Sequence, residues 1–119
     1  MTHYMNLHRQ PFNMIKAGFK TIELRLYDEK RQQIKECDTI VFFNSDNAAD
    51  QVAVQVKALH VFSSFEKLYE ALPLDKCGYS ADEIASASPA DMDTYYSKEK
   101  QSKYGVVGIE IELLTEGQI

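Results

Sequence analysis

Gly18-Phe19-Lys20-Thr21-Ile22-Glu23-Leu24-Arg25-Leu26 alternates polar and apolar side chains from Thr21 onward, the pattern of an extended strand. In that conformation Ile22, Leu24 and Leu26 point into a core, while Thr21, Glu23 and Arg25 point the other way. Gly18 permits a turn just before the strand, so the Lys20 amine can swing toward the same polar face. Two cations then flank one carboxylate. Opposite charges two apart on a strand also occur on plain solvated faces, where a pair contributes only about 0.2–1 kcal/mol. The two readings differ in geometry. If the aliphatic residues are core, Thr21, Glu23 and Arg25 open onto one concavity within reach of Lys20, because a one-residue slip would bury the charges and expose the leucines. Glu23 is then expected between the two cations, partly buried and ionised.

Before this strand, the periods predict a strand over His3–Leu7 and a helix over Pro11–Ala17 that stops at Gly18, with Phe12 and Ile15 on its core side. After it, residues 27–33 read as a polar loop or short helix in which Asp28 can cap the first turn. Thr39–Asn44 is a β-branched and aromatic run that ends in turn chemistry at Ser45-Asp46-Asn47. Gln51–Phe62 alternates through Val52, Val54, Val56 and Ala58 and reads as one long strand. Ser64 opens a helix carrying Phe65, Leu68, Tyr69 and Leu72 that ends at Pro73. The stretch 73–88 is irregular, with a helix start at Ser80, and Ser88 caps a helix running from Pro89 toward Tyr96 with Asp91 near its positive end. Val106–Leu114 reads as a half-buried closing strand, with Val107, Ile109, Ile111 and Leu113 inward. Five strands and a few helices make a small mixed barrel of α+β class.

The chain has 119 residues, enough for one domain with one core, and no apolar run of 18 or more residues. Its first residues lack the order of a signal peptide, so a cytoplasmic location and no membrane partner are expected. Cys37 and Cys77 have no CxxC spacing, and His3, His8 and His60 are scattered, with His3 and His8 reading as surface residues of the first strand. No metal site is expected. The net charge of -5 argues against a protein that coats long nucleic acids. Its distribution is uneven. Residues 1–35 carry Arg9, Lys16, Lys20, Arg25, Lys30, Arg31 and Lys35 against Glu23, Asp28 and Glu29, and Lys98, Lys100 and Lys103 face only Glu99. A basic approach face, or two ordinary solvated faces, would both give this pattern.

The series Leu7…Pro11-Phe12…Ile15…Gly18…Lys20-Thr21-Ile22-Glu23-Leu24-Arg25 resembles the signature of the ASCH domain family, relatives of the PUA RNA-binding domains. Residues 34–42, Tyr95-Tyr96-Ser97 and Tyr104-Gly105-Val106-Val107-Gly108-Ile109 resemble later parts of the same family, so the resemblance spans nearly the whole chain. It implies a single domain over 1–119, folded as a PUA-like mixed β-barrel of five or six strands with flanking helices. It also implies a cleft for RNA, a nucleotide or a nucleoside, lined by Lys20, Glu23 and Arg25, with no cofactor. Arginine offers a planar fork, lysine a compact charge and glutamate an acceptor for a base amine. Tyr95, Tyr96 and Tyr104, with Lys98, are candidates for stacking bases and holding phosphate, although tyrosines at such positions also serve as core. One branch resembles an amidohydrolase acting on acetylcytidine through a Lys, a strand Thr and a Glu. Here Lys20 holds the lysine position, but Glu23 stands where that branch has threonine, which leaves Thr21 as the candidate hydroxyl. Lys20 and Glu23 are also a candidate acid–base pair for RNA cleavage. Cys37 departs from the family's glycine, so either the turn is reshaped or Cys37 carries strain.

Overall fold

The computed structural model describes residues 1–114; the last five positions of the expected domain over 1–119 lie outside the described residues. Alternating burial along Thr2–Leu7 (β1) puts His3, Met5 and Leu7 inward, and the amphipathic helix Arg9–Lys16 (α1) buries Phe12 and Ile15. The helix begins two residues earlier than its proline suggested, because Pro11 fits the first turn, where its missing N–H costs nothing. Ile22–Leu26 (β2), Thr39–Asn44 (β3), Asn47–Phe62 (β4) and Val106–Leu113 (β5) complete a five-stranded sheet ordered β1-β3-β4-β5-β2. The β1–β3 pair is parallel and the rest are antiparallel, so the sheet is mixed, and it curls into a half-barrel with β1 and β2 at its free edges. Helices Phe65–Ala71 (α2), Ala81–Ile84 (α3) and Lys98–Tyr104 (α4), with 3-10 turns at Leu74–Cys77 and Pro89–Thr94, flank it. The class is α+β, as the strand and helix count implied.

Two cores share the sheet. Inside the curl, Phe12 and Ile15 meet Ile40, Phe42, Val54, Val56, Val107 and Ile109. Outside it, Ile22, Leu24, Leu26 and Val106 pack under Phe65, Leu68, Cys77 and Met92 of the helical layer. β5 is half-buried as its alternation suggested only over its second half, where Ile111 is buried and Glu112 exposed; Val106, Val107, Gly108 and Ile109 are all buried, because the helices cover the second face there. Gly108 makes this approach feasible, since a Cβ there would lie 2.6 Å from the Leu72 Cδ1 atom.

The long strand β4 departs from its alternation at one point. A bulge between Val56 and Ala58 leaves Lys57 without a partner on β5, so Leu59, not Ala58, rejoins the inner core. Cys37 has a left-handed backbone, with φ 73°, at a cost of roughly 1–2 kcal/mol. The residue bears the strain, while its N–H donates to the Val56 carbonyl at 2.8 Å. His3 is buried, and its Nε2 lies 2.8 Å from Asp38 Oδ2, which corrects its reading as a surface residue. No helix among the described residues is long and apolar enough to cross a membrane.

Candidate ligand cleft

The alternation of β2 has a direct structural result. Glu23 pairs opposite Ile109 and Arg25 opposite Val107, so both charged side chains share the inner face of the half-barrel, while the aliphatic residues serve the outer core. Glu23 is 3% exposed. Its Oε1 accepts from Lys20 Nζ at 2.7 Å and its Oε2 accepts from Arg25 Nε at 2.9 Å. Burial alone would push the Glu23 carboxyl up, but the charges of Lys20 and Arg25 and the hydrogen bonds from both outweigh it and hold the group below the usual carboxylate range. Burial would likewise lower Arg25, and the Glu23 carboxylate reverses that. Arg25 also donates from Nη2 to the Asn6 carbonyl at 2.8 Å, and Lys30 Nζ donates to the Tyr4 carbonyl at 2.8 Å. These cations close the gap that the curled sheet leaves beside β1 and satisfy carbonyls of that edge strand.

Above this trio lies a cavity of about 660 Å³. Lys20, Glu23, Leu24 and Arg25 line it from β2 and its approach, and Asn6, Leu7, His8, Gln10, Pro11 and Met14 from β1 and α1. Tyr69, Cys77, Gly78, Tyr79, Glu83, Asp91, Met92, Thr94, Tyr95 and Tyr96 line it from the helical layer. Gly78 caps its 3-10 turn with φ 107°, a conformation that favours glycine, and its bare backbone gives the lysine stem room, since a Cβ there would sit 3.3 Å from Lys20 Cδ. Tyr95 is 61% exposed at the rim and its ring stands 6.3 Å from that of His8, across from Tyr96 at 6.5 Å. Tyr96 is half-buried against Phe65, and burial raises its hydroxyl pKa. Burial likewise pushes the Cys77 thiol up to about 11, so it stays protonated at neutral pH.

Of the residues singled out from the sequence, Lys20, Glu23, Arg25, Tyr95 and Tyr96 converge on this cavity, and Thr21, Lys98 and Tyr104 do not. Thr21 shares the inner face but opens into a separate hollow of about 240 Å³ lined by Ile15, Val54 and Ile111, with Lys20 on the wall of both. Its N–H donates to Lys76 O and its carbonyl accepts from Ile111 N, which fixes it there. Lys98 is exposed at the start of α4 beside Asp93, at 3.9 Å, and Tyr104 packs against the outer core with Lys103 Nζ over its ring. Part of the basic charge of the first third is met by carboxylates: Lys16 pairs with Asp50 at 2.9 Å, Arg9 with Asp46 at 3.5 Å and Arg31 with Asp28 at 3.3 Å. Sequence reasoning missed His8, Tyr69, Tyr79 and Glu83 as lining residues. Tyr69 was legible only as a helix-face residue, and Tyr79 follows a turn glycine without any periodic signal. Among the described residues no cluster of three or more His, Cys, Asp or Glu side chains is arranged to hold a metal ion.

The sequence profile of the ASCH domain matches residues 5–115. The crystal structure of the hypothetical protein PH0355 is 38% identical, with a TM-score of 0.79 over 96% of this chain and 100% of that one. The solution structure of the protein PF0455 from Pyrococcus furiosus is 39% identical, with a TM-score of 0.70 over 96% and 98% of the two chains. The crystal structure of ASCH from Zymomonas mobilis is 11% identical, with a TM-score of 0.62 over 98% of this chain and 75% of that one, and shares the fold. No curated protein matches the chain.

Proposed function

Because the chain belongs to the ASCH domain family and has its PUA-like fold, we propose that it binds RNA or a nucleotide in the cleft above Lys20, Glu23 and Arg25. The observation that carries this reading is the trio itself: a carboxylate held ionised by two cations at the bottom of a cavity wide enough for a nucleotide, with an exposed tyrosine at its rim. Arg25 uses Nε and Nη2 within the protein, which leaves Nη1 as a donor to a ligand. Tyr95 offers its ring to a base, and such stacking contributes about 1–3 kcal/mol per base. Both cations already face Glu23, so a bound strand gains little from phosphate neutralisation. Titration of short single-stranded RNAs against salt is then expected to give a log–log slope of about -1 or shallower. No binding at ~50 mM salt, where phosphate contacts are strongest, overturns the reading.

A hydrolytic role is the second reading, favoured by the 2.7 Å contact between Lys20 Nζ and Glu23 Oε1 inside the cavity. That contact helps hold Glu23 as a carboxylate, so a substrate would have to part the pair before either group acts as acid or base. Thr21, in its separate hollow, is poorly placed to supply the hydroxyl. Turnover of RNA or acetylcytidine by the intact protein, abolished by Lys20→Ala, supports hydrolysis. Absence of turnover of both leaves binding alone.

A further inference from the structure

On the wall of the cleft, Tyr69, Tyr79 and Asp91 form a chain of hydrogen bonds: the two hydroxyl oxygens are 2.6 Å apart, and the Tyr79 hydroxyl donates to Asp91 Oδ2 at 2.9 Å. All three side chains line the cavity, and none belongs to the charged trio. A phenol has one proton, and an ionised carboxylate only accepts. Tyr79 therefore spends its proton on Asp91, and the contact between the phenols is made by the Tyr69 proton. What remains at Tyr69 is lone pairs. Burial, reinforced at Tyr79 by its bonds to Tyr69 and Asp91, raises the pKa of both hydroxyls, so both protons are in place at neutral pH. Asp91 is fixed as well, because its Oδ2 also accepts from the Ser88 N–H at 3.1 Å in the capping box of the 3-10 turn Pro89–Thr94.

We propose that this chain makes Tyr69 a specificity-determining acceptor, so that the cleft selects ligands presenting an N–H donor to that wall. It rests on the nucleotide-binding reading and narrows it. The floor offers donors, the Lys20 ammonium and Arg25 Nη1, and the wall offers an acceptor. The ligand class that matches both is a heterocycle whose edge carries an acceptor and an N–H group together, as nucleobases do. A hydroxyl free to rotate would accept either pattern; the Asp91 anchor removes that freedom. Such a device gives strong discrimination because a ligand lacking the donor leaves a desolvated acceptor without a partner.

The probes are adenosine, cytidine and uridine, each paired with its N6,N6-dimethyl, N4,N4-dimethyl or N3-methyl form, titrated by NMR into the intact protein, Tyr69→Phe and Tyr79→Phe. The tightest nucleoside is expected to lose about tenfold in affinity on methylation with the intact protein, the effect of one good hydrogen bond. In Tyr69→Phe that loss should shrink to less than about twofold, and in Tyr79→Phe, which frees the Tyr69 proton, it should fall between. Equal methylation losses in the intact protein and Tyr69→Phe overturn the inference and assign the chain a purely structural role, in which melting temperature moves and selectivity does not. Binding of short RNA without binding of any nucleoside overturns this inference alone. Binding of neither removes the cleft reading with it.

Discussion

The floor of the cleft comes from positions 20–25, in β2 and the residues just before it, whereas its roof is assembled from Tyr69, Tyr79, Asp91 and Tyr95, carried by α2 and by the short turns after it. The floor is desolvated and electrostatically closed, with each Glu23 oxygen taken by one cation. The roof is held by capping boxes at Ser80 and Ser88, a tyrosine pair and a few apolar anchors such as Met92. A strand in a ladder fixes its side chains by register, so Glu23 and Arg25 at alternate positions, with Lys20 three residues before Glu23, suffice to define the floor. Short 3-10 turns have poorer hydrogen-bond geometry and place side chains only through specific local bonds. Burial makes the floor costly to alter, and the thin packing of the roof leaves it cheap to alter.

Four substitutions test that contrast. Glu23→Ala leaves two buried cations facing each other and is expected to cost about 3–5 kcal/mol in urea unfolding. The same carboxyl predicts a pH effect. Its folded pKa lies below the ordinary 4.5, so the stability it contributes is present above that value and is lost as pH falls through the lower folded one. The variant's stability should therefore fall less steeply below pH 4.5 than that of the intact protein. A cost under about 1 kcal/mol would mean that the trio is solvated and the contrast is wrong.

Gly108→Val strikes the junction of sheet and roof, where the added Cβ would meet the Leu72 side chain at 2.6 Å and Ile22 Cγ2 at 3.2 Å. Displacing α2 to relieve that overlap should cost about 1–3 kcal/mol and weaken ligand binding by tilting Tyr69. Binding affinity retained at full stability loss would show that α2 does not position the wall. Ser88→Ala removes one cap, at about 1 kcal/mol, and should speed amide exchange across Pro89–Thr94 with β2 unaffected. Equal acceleration in β2 would mean that floor and roof unfold as one unit. The smallest stability change belongs to Tyr95→Ala, within about 0.5 kcal/mol for a residue this exposed, together with a loss of about 1–3 kcal/mol in RNA binding.

Much of the fold was legible because its signals are local. The two-residue period of β2, the core stripe of Phe12 and Ile15 and the caps at Ser64, Ser80 and Ser88 each depend on neighbours a few positions away, and each appears as read. The bulge at Lys57 was not legible, since Val52 through Ala58 alternates without a break and only pairing with β5 inserts the extra residue. The same limit applies to the site. Lys20, Glu23 and Arg25 were found from spacing together with the family resemblance, and Tyr69 and Tyr79 were not, because the two stand ten positions apart in different elements and their hydroxyls meet at 2.6 Å only in the fold.

The sequence by itself determined that one strand carries a carboxylate between two cations, and its resemblance identified the family whose profile covers residues 5–115. Alternation along a strand is a covalent property of the extended backbone, so no partner is needed to know which side chains share a face. Tertiary structure decided what that face meets. Folding placed the helical layer on the outer side of β2, which left the charges on the inner side. It paired Arg9 and Lys16 with Asp46 and Asp50 from beyond the basic segment, contacts that a charge count by segment does not show. It also drew Asp91 to Tyr79, fixing the direction of a proton that no sequence pattern encodes. Each of these depends on distances between residues remote in the chain, and a Coulomb or hydrogen-bond contribution exists only once folding has set those distances.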